Sequence, residues 1–235
     1  GHNQSEIPFM NSRRSQARPI SAQSRNPLAT WLTETKEFLS ALVSNPLSMG
    51  AVLPSSAALA AAITASVQPG PGRVLELGCG TGVFTREILR KGVSPARLIL
   101  VERDATLSQG LKVQFPAATV LQVLAQDLCP VQYPELKEVS TTVCGLPLLN
   151  MSGLEHERVL RTVFDVMVPQ GALYLFTYGF RCPVSQSVLG KFELSFSLVS
   201  FVARNLPPAS VYRIAKRTYV TRGGLAAGCP EGARL

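Results

Sequence analysis

Apolar positions recur along this chain at two spacings, and the switches between them mark out the elements. Leu28, Trp31, Leu32, Thr35, Phe38, Leu39, Leu42 and Val43 fall at steps of three and four, with Glu34, Lys36 and Glu37 on other positions. This spacing predicts an amphipathic helix over 26–46, opened by Asn26-Pro27 and stopped at Asn45-Pro46. An Ala-rich helix is expected from Ser55 to about Val67, and Pro69-Gly70-Pro71-Gly72 then turns the chain. Short apolar runs beyond it read as buried strands: Val74–Leu77, Arg97–Val101, Thr119–Leu124, Ser140–Cys144 and Gly171–Thr177. Helical spacing fills the gaps after Gly82, from Asp104 to Phe115 and from Gly153 to Val168. Ser195–Arg204 and Ser210–Arg217 alternate on either side of Asn205-Leu206-Pro207-Pro208, which predicts a terminal β-hairpin. Strand and helix in alternation imply an α/β domain with a mostly parallel sheet. Four regions follow: a basic, poorly ordered tail (1–25), the amphipathic helix (26–46), the α/β domain (47–218) and a loose C-terminal tail (219–235).

The chemistry is concentrated at the end of the first strand, in Glu76-Leu77-Gly78-Cys79-Gly80-Thr81-Gly82. Glycines there let the chain turn sharply and let a ligand approach without a Cβ in the way. A dinucleotide fingerprint needs G-x-G-x-x-G, but here the third glycine comes one residue early. Glu76 would also repel a pyrophosphate, whereas a carboxylate suits a ligand bearing a cationic amine and a sulfonium. The stretch resembles motif I of class I S-adenosylmethionine (SAM) methyltransferases. The candidate cofactor residues here are Glu76, Gly78, Cys79, Gly80 and Gly82.

Others follow at the carboxyl ends of later strands, where α/β sheets bind their ligands. Glu102, beside Arg103, stands where a ribose-binding acid belongs. Asp127, with Leu128, suits the adenine amine. Ser55 is a helix cap whose hydroxyl can alternatively meet the methionine end of SAM. Gly145 opens the loop Gly145-Leu146-Pro147-Leu148-Leu149, which should border the methyl group. Enzymes that methylate base amines carry a polar residue and an aromatic in this loop, and here it is apolar. Tyr178 ends the fifth strand near the arriving substrate and is the candidate catalytic residue, holding or relaying a proton. His156, among Glu155, Glu157 and Arg158, reads as part of a solvated helix face.

Gly50-Ala-Val-Leu-Pro-Ser-Ser56, Glu76–Gly82, Gly145–Leu149, Phe176-Thr-Tyr-Gly179 and Asn205-Leu-Pro-Pro208 together resemble the bacterial phospholipid N-methyltransferase family, over about residues 31–217. The resemblance implies a class I methyltransferase (Rossmann-like) fold with a seven-stranded sheet. It implies methyl transfer from SAM, leaving S-adenosylhomocysteine, to the amine of phosphatidylethanolamine, and onward to phosphatidylcholine through the monomethyl and dimethyl products. It also implies that the N-terminal helix meets the lipid, with Trp31, Phe38 and Leu39 as its contacts. Leu146, Pro147, Leu148 and Tyr178 are then the expected substrate neighbours, with Arg181 and Arg213 for a lipid phosphate. Two other readings share motif I: an rRNA adenine N6-methyltransferase, and a non-catalytic SAM-binding module that remodels membranes. The apolar loop stands against the first.

Composition narrows the partners. Among 235 residues, Lys and Arg number 23 against 15 acids, which favours an anionic membrane surface or nucleic acid; the apolar loop leaves the membrane. No apolar run is long enough to span a bilayer. Five cysteines without a C-x-x-C pair argue for reduced thiols and against a metal site. The expected location is the cytoplasm, peripheral to the inner face of the membrane.

Overall fold

The computed structural model describes residues 54–205 and 207–217, with side chains from Ala57 onward. The amphipathic helix at 26–46, with Trp31, Phe38 and Leu39, lies outside the described residues, as do both tails and the side chain of Ser55. The elements are α1 (Pro54–Ile63), β1 (Arg73–Leu77), α2 (Val83–Arg90), β2 (Leu98–Val101), α3 (Ala105–Gln114), β3 (Thr119–Leu121) and β4 (Val139–Cys144). They continue with α4 (Gly153–Val166), β5 (Met167–Tyr178), α5 (Gln186–Lys191), β6 (Leu194–Val202) and β7 (Ala209–Lys216).

The seven strands form one sheet in the order β3-β2-β1-β4-β5-β7-β6. The first five run parallel, and β7 is antiparallel to both of its neighbours. This is the mostly parallel sheet with a terminal hairpin expected from the sequence pattern, with the seven strands that the family resemblance implies. Side chains alternate across each strand, so every strand feeds two cores. On one side Leu59 and Ile63 of α1, Ile88 of α2 and Leu111 of α3 pack on Val74, Leu98, Leu100 and Val143. On the other side Val159, Leu160 and Val163 of α4 and Leu189 of α5 cover Leu75, Leu77, Ile99 and Leu173. Burial on both faces explains why these strands read as continuous apolar runs.

The chain leaves β1 toward β2 and β3, then crosses back to β4. The crevice is therefore at the carboxyl ends of β1 and β4. Register sets the ends level: Leu77 pairs with both Val101 and Cys144. Gly78, Glu102 and Gly145, each the next residue, thus converge on one edge. Cys144 pairs in turn with Leu175, so β5 carries Tyr178 three residues beyond that edge.

Several boundaries differ from the sequence expectation. The Ala-rich helix ends at Ile63, not near Val67, and β3 stops at Leu121. α5 was not anticipated, because six residues are too few to show a helical period. His156 is not on a solvated face. It is buried, and its Nε2 lies 2.9 Å from the Leu148 carbonyl oxygen. A carbonyl only accepts, so Nε2 carries the hydrogen. Charged neighbours masked the apolar stripe of α4, which turns His156 inward together with Val159, Leu160 and Val163.

Candidate active site

Three positive-φ glycines shape the loop after β1: Gly78 (70°), Gly80 (54°) and Gly82 (80°). Each lies in the left-handed region that glycine enters without strain. Two of them are also closed in by neighbours. A Cβ on Gly78 would stand 2.8 Å from Leu146 Cδ2, and one on Gly82 would stand 2.8 Å from Phe115. At Gly80 the space is open, with nothing within 4 Å. The loop therefore packs tightly at both ends and leaves a cradle at its middle.

Two carboxylates frame the cradle. Glu102 is buried, and its two oxygens accept the backbone N–H groups of Gly80 and Asp104, each at 2.9 Å. The second β-strand end thus pins the centre of the glycine loop. Glu76 is fully buried, and its Oε2 accepts the Thr85 hydroxyl at 2.7 Å. Its Oε1 has no partner among the described residues. Burial pushes this carboxyl up to about 8, against smaller opposing effects from the Thr85 bond and Arg86. An unpartnered carboxylate oxygen in an apolar site is costly unless a cation or donor completes it. Sequence reasoning missed Thr85, although a hydroxyl on the inward side of α2 was the available signal.

The Cys79 side chain points into the core. Its thiol donates toward the Glu76 and Val101 carbonyls at 3.5 Å, so only its backbone faces the loop. Burial, with Glu76 and Glu102 nearby, raises its pKa, so it stays a thiol. Arg103 and Asp127 are exposed. Asp127 closes a short 3-10 turn (Ala125–Asp127) that follows β3 by several residues, because β3 ends early. The Leu128 side chain is buried in the core, and its carbonyl accepts the Thr162 hydroxyl at 3.1 Å.

The loop after β4 crosses the glycine turn closely. Gly145 donates its N–H to Leu77 O at 2.7 Å, and a Cβ there would meet Gly78 O at 2.7 Å. Leu146 lies over Gly78. Leu148, expected against the substrate, has its side chain buried in the core instead. It anchors the loop from beneath, through its own packing and the His156 bond, and Leu149 is the exposed leucine. Across the loop stand Phe84, Phe176 and Tyr178. Their rings meet edge to face, at 6.1 Å for Phe84–Phe176 and 5.5 Å for Phe176–Tyr178. Phe84 and Phe176 escaped the sequence reading because apolar residues at helix and strand positions ordinarily mean core. Tyr178 is half-buried; desolvation raises its phenol above the usual value, and the Asn205 side chain partly opposes this.

Arg181 is exposed, three residues past Tyr178. Arg213 is not at this edge. It pairs with Tyr174, four residues back along β5, or about 13 Å at ~3.3 Å per residue. The structure thus gathers Glu76, Gly78, Gly80, Glu102, Gly145, Leu146 and Tyr178 at one edge and leaves Arg213 outside it.

Residues 75–175 match the family model of a methyltransferase domain. The ornithine lipid N-methyltransferase of Singulisphaera acidiphila is 31% identical over 146 residues, which are 59% of this chain and 73% of that one. The chain belongs to the class I SAM-dependent methyltransferases. The fold agrees with solved members. The 1,6-didemethyltoxoflavin-N1-methyltransferase of Burkholderia thailandensis, solved with S-adenosylhomocysteine, superposes with a TM-score of 0.55 at 12% identity, covering 85% of this chain and 94% of its own. The TehB-like SAM-dependent methyltransferase of Corynebacterium glutamicum gives 0.53 at 12% identity, covering 79% and 100%. SAM is therefore the methyl donor of this methyltransferase. The open space beside Gly80, the unpartnered Glu76 oxygen and the Glu102 carboxylate are compatible with a ligand that carries a cationic amine and a ribose.

Proposed function

We propose that this methyltransferase acts on the primary amine of a membrane lipid, with phosphatidylethanolamine as the acceptor, and continues through the monomethyl and dimethyl products. The observation that carries this reading is the apolar rim at the carboxyl edge: Leu146 and Leu149 on one side, Phe84, Phe176 and Tyr178 on the other. Gly145–Leu149 carries no carboxylate or amide side chain to hold a base amine, and the Asn205 amide beside Tyr178 is engaged in donating to the Pro207 carbonyl at 2.7 Å. The lipid named for the Singulisphaera relative supports an amine-bearing lipid in general.

When bound, SAM supplies a sulfonium methyl group, which needs no activation by a protein acid. The chain's work is positioning and desolvation. In this reading Glu76 Oε1 and the Gly78–Gly82 turn hold the methionine end, Glu102 takes the ribose hydroxyls, and Asp127 takes the adenine amine. The acceptor must present a neutral amine, and an apolar surround lowers an amine pKa by disfavouring its charged form. Tyr178 remains protonated at neutral pH, because its pKa is raised. It acts as a hydrogen-bond partner that aims the amine and does not act as a base. Arg181 meets the lipid phosphate as a charge-assisted donor.

The test is methyl transfer from radiolabelled SAM to vesicles of phosphatidylethanolamine, with lipids separated by chromatography. Label in mono-, di- and trimethylated phosphatidylethanolamine supports the reading. The relative's name favours a second acceptor, so parallel vesicles carry ornithine lipid. Label there alone replaces the acceptor and keeps the chemistry. No labelled lipid in either set overturns the proposal.

A further inference from the structure

Among the described residues, β6 is the sheet's edge strand, hydrogen-bonded only to β7. Edge strands usually carry charges or proline that block further contact. This one has no charged residue from Leu194 to Val202, and four large apolar side chains are exposed: Phe196 at 37%, Leu198 at 58%, Val199 at 39% and Phe201 at 43%. Register decides their direction. Phe196, Leu198 and Phe201 stand opposite Ile214, Tyr212 and Ser210, which share one face of β7. The irregularity between Leu198 and Ser200 restores Phe201 to that face. Leu194, at the start of the strand, is buried with Val188 and Leu189 of α5, and Ser195–Val199 and Phe201 are exposed.

The stripe does not end with the strand. Phe180, 77% exposed, stacks on Phe201 with ring centres 5.0 Å apart and planes 23° from parallel. Tyr212 Oη donates to Phe180 O at 2.6 Å, and Ser210 Oγ donates to Gly179 O at 2.5 Å, so this exposed ring sits on a fixed loop. Phe180 is two residues from Tyr178. The stripe therefore runs from the outer edge of the sheet to the rim of the methyl-transfer site. The segment that carries it is mostly basic: from Phe180 to Arg217 the chain holds six Lys or Arg and a single acid, Glu193, with Arg213 on the opposite face of β7 and Lys191 paired with Glu157. Arg181 and Arg204 are exposed at the Phe180 end.

We infer that Phe180, Phe196, Leu198 and Phe201 enter the interface of an anionic bilayer, with Arg181 and Arg204 on its headgroups, and that this contact presses the carboxyl edge of the sheet against the lipid surface. The inference rests on the lipid reading above and adds a surface distinct from residues 26–46. Aromatic rings and arginines are the side chains that the headgroup zone of a membrane favours. A headgroup amine lies in that zone, so a methyltransferase that acts on it must bring its active-site rim there. A single interfacial helix leaves the attached domain free to turn; a second contact at the rim sets its orientation. A second copy of the chain is the poorer occupant, because a two-fold contact places the same patch against itself and brings like charges together.

Full-length protein with Trp31→Phe and Leu198→Trp has its only indole at position 198. It is mixed with vesicles of phosphatidylglycerol and phosphatidylethanolamine, with and without brominated acyl chains. The expected result is a blue shift of the emission on vesicles and quenching by the bromine. Emission unchanged on vesicles that carry the protein in flotation overturns the inference, as does failure to float. A blue shift that grows with protein concentration without vesicles assigns the stripe to self-association and also overturns it. Methyl transfer to amine lipid in detergent micelles separates the two readings. Micellar turnover with an unmoved indole sinks the surface and leaves the function. An inserted indole, with no turnover in micelles or vesicles, sinks the function and leaves the surface.

Discussion

Replacing Glu76 by glutamine tests what a buried carboxyl does in the proposed donor site. Glutamine keeps the shape and can still accept the Thr85 hydroxyl, but it cannot ionise. In the folded chain the Glu76 carboxyl is pushed from 4.5 to about 8, chiefly by burial. Its folded pKa lies above its unfolded one, so the native state binds more protons between these values. Stability from this group is fully present below pH 4.5, falls as pH rises and levels off above 8. The slope inside that window is about 1.4 kcal/mol per pH unit. Between pH 6 and 8 the wild type should therefore lose about 2 kcal/mol that Glu76→Gln retains. For a chain of this size that is a Tm difference of about 4–8 °C, to be read by thermal denaturation of both proteins across pH. Groups common to both cancel in the comparison. SAM supplies the second readout. If its cationic amine completes Oε1, the carboxyl ionises on binding and releases about one proton at pH 7, which calorimetry in two buffers of different ionisation enthalpy detects. Glu76→Gln should release none. Parallel Tm curves and equal proton release in the two proteins would refute the reasoning.

Three further outcomes follow from the site. Glu102→Gln exchanges an acceptor oxygen for a donor beside the Gly80 and Asp104 N–H groups, and should weaken SAM binding about 10- to 100-fold by calorimetry; unchanged affinity would remove Glu102 from the cofactor site. Gly80→Ala and Gly145→Ala should part company: the first adds a Cβ where the protein leaves open space and should fold with about 1 kcal/mol lost while SAM affinity collapses, whereas the second meets Gly78 O and should lower Tm strongly. His156→Ala strips the Leu148 carbonyl of its buried donor and should cost about 1–3 kcal/mol, with KM for lipid rising and SAM affinity unchanged; an unaltered KM would mean that the loop holds its place without the histidine.

The fold was largely legible in the sequence because burial on both faces writes a parallel strand as a short apolar run, and the five runs found this way are β1 to β5. The glycine turn was legible for a sharper reason, since three positive-φ positions in five residues admit almost nothing else. What remained hidden depends on contacts that arise only in three dimensions. The charges around His156 gave no hint that the ring turns inward to bond Leu148. Leu148 and Leu146 are one turn of loop apart in sequence, yet one faces the core and the other covers Gly78. Arg213 lies in a basic stretch, but only the antiparallel register shows it opposite Tyr174 and away from the edge. Thr85 and Phe84 sit side by side on α2, and nothing in their spacing reveals that one serves a carboxylate and the other a ring.

The geometry also explains how one edge can serve two partners of opposite character. The proposed donor end is polar and fixed: the buried Glu102 carboxylate ties β2 to the Gly80 N–H, and the Gly145 N–H ties the loop after β4 to Leu77 O, so one side-chain and one backbone contact hold the cradle. The acceptor end is apolar and lies where β5, β7 and the Leu146–Leu149 loop meet, with few polar groups to hold water around an amine. In the proposed reading a cationic donor needs an ionised Glu76 close by, while a neutral amine needs that charge kept away from it. Glu76 lies beneath the glycine turn and Tyr178 lies three residues beyond the aligned strand ends, on the far side of β4. On the proposed reading the sheet thus separates the two electrostatic requirements by strand position, with methyl transfer where they adjoin.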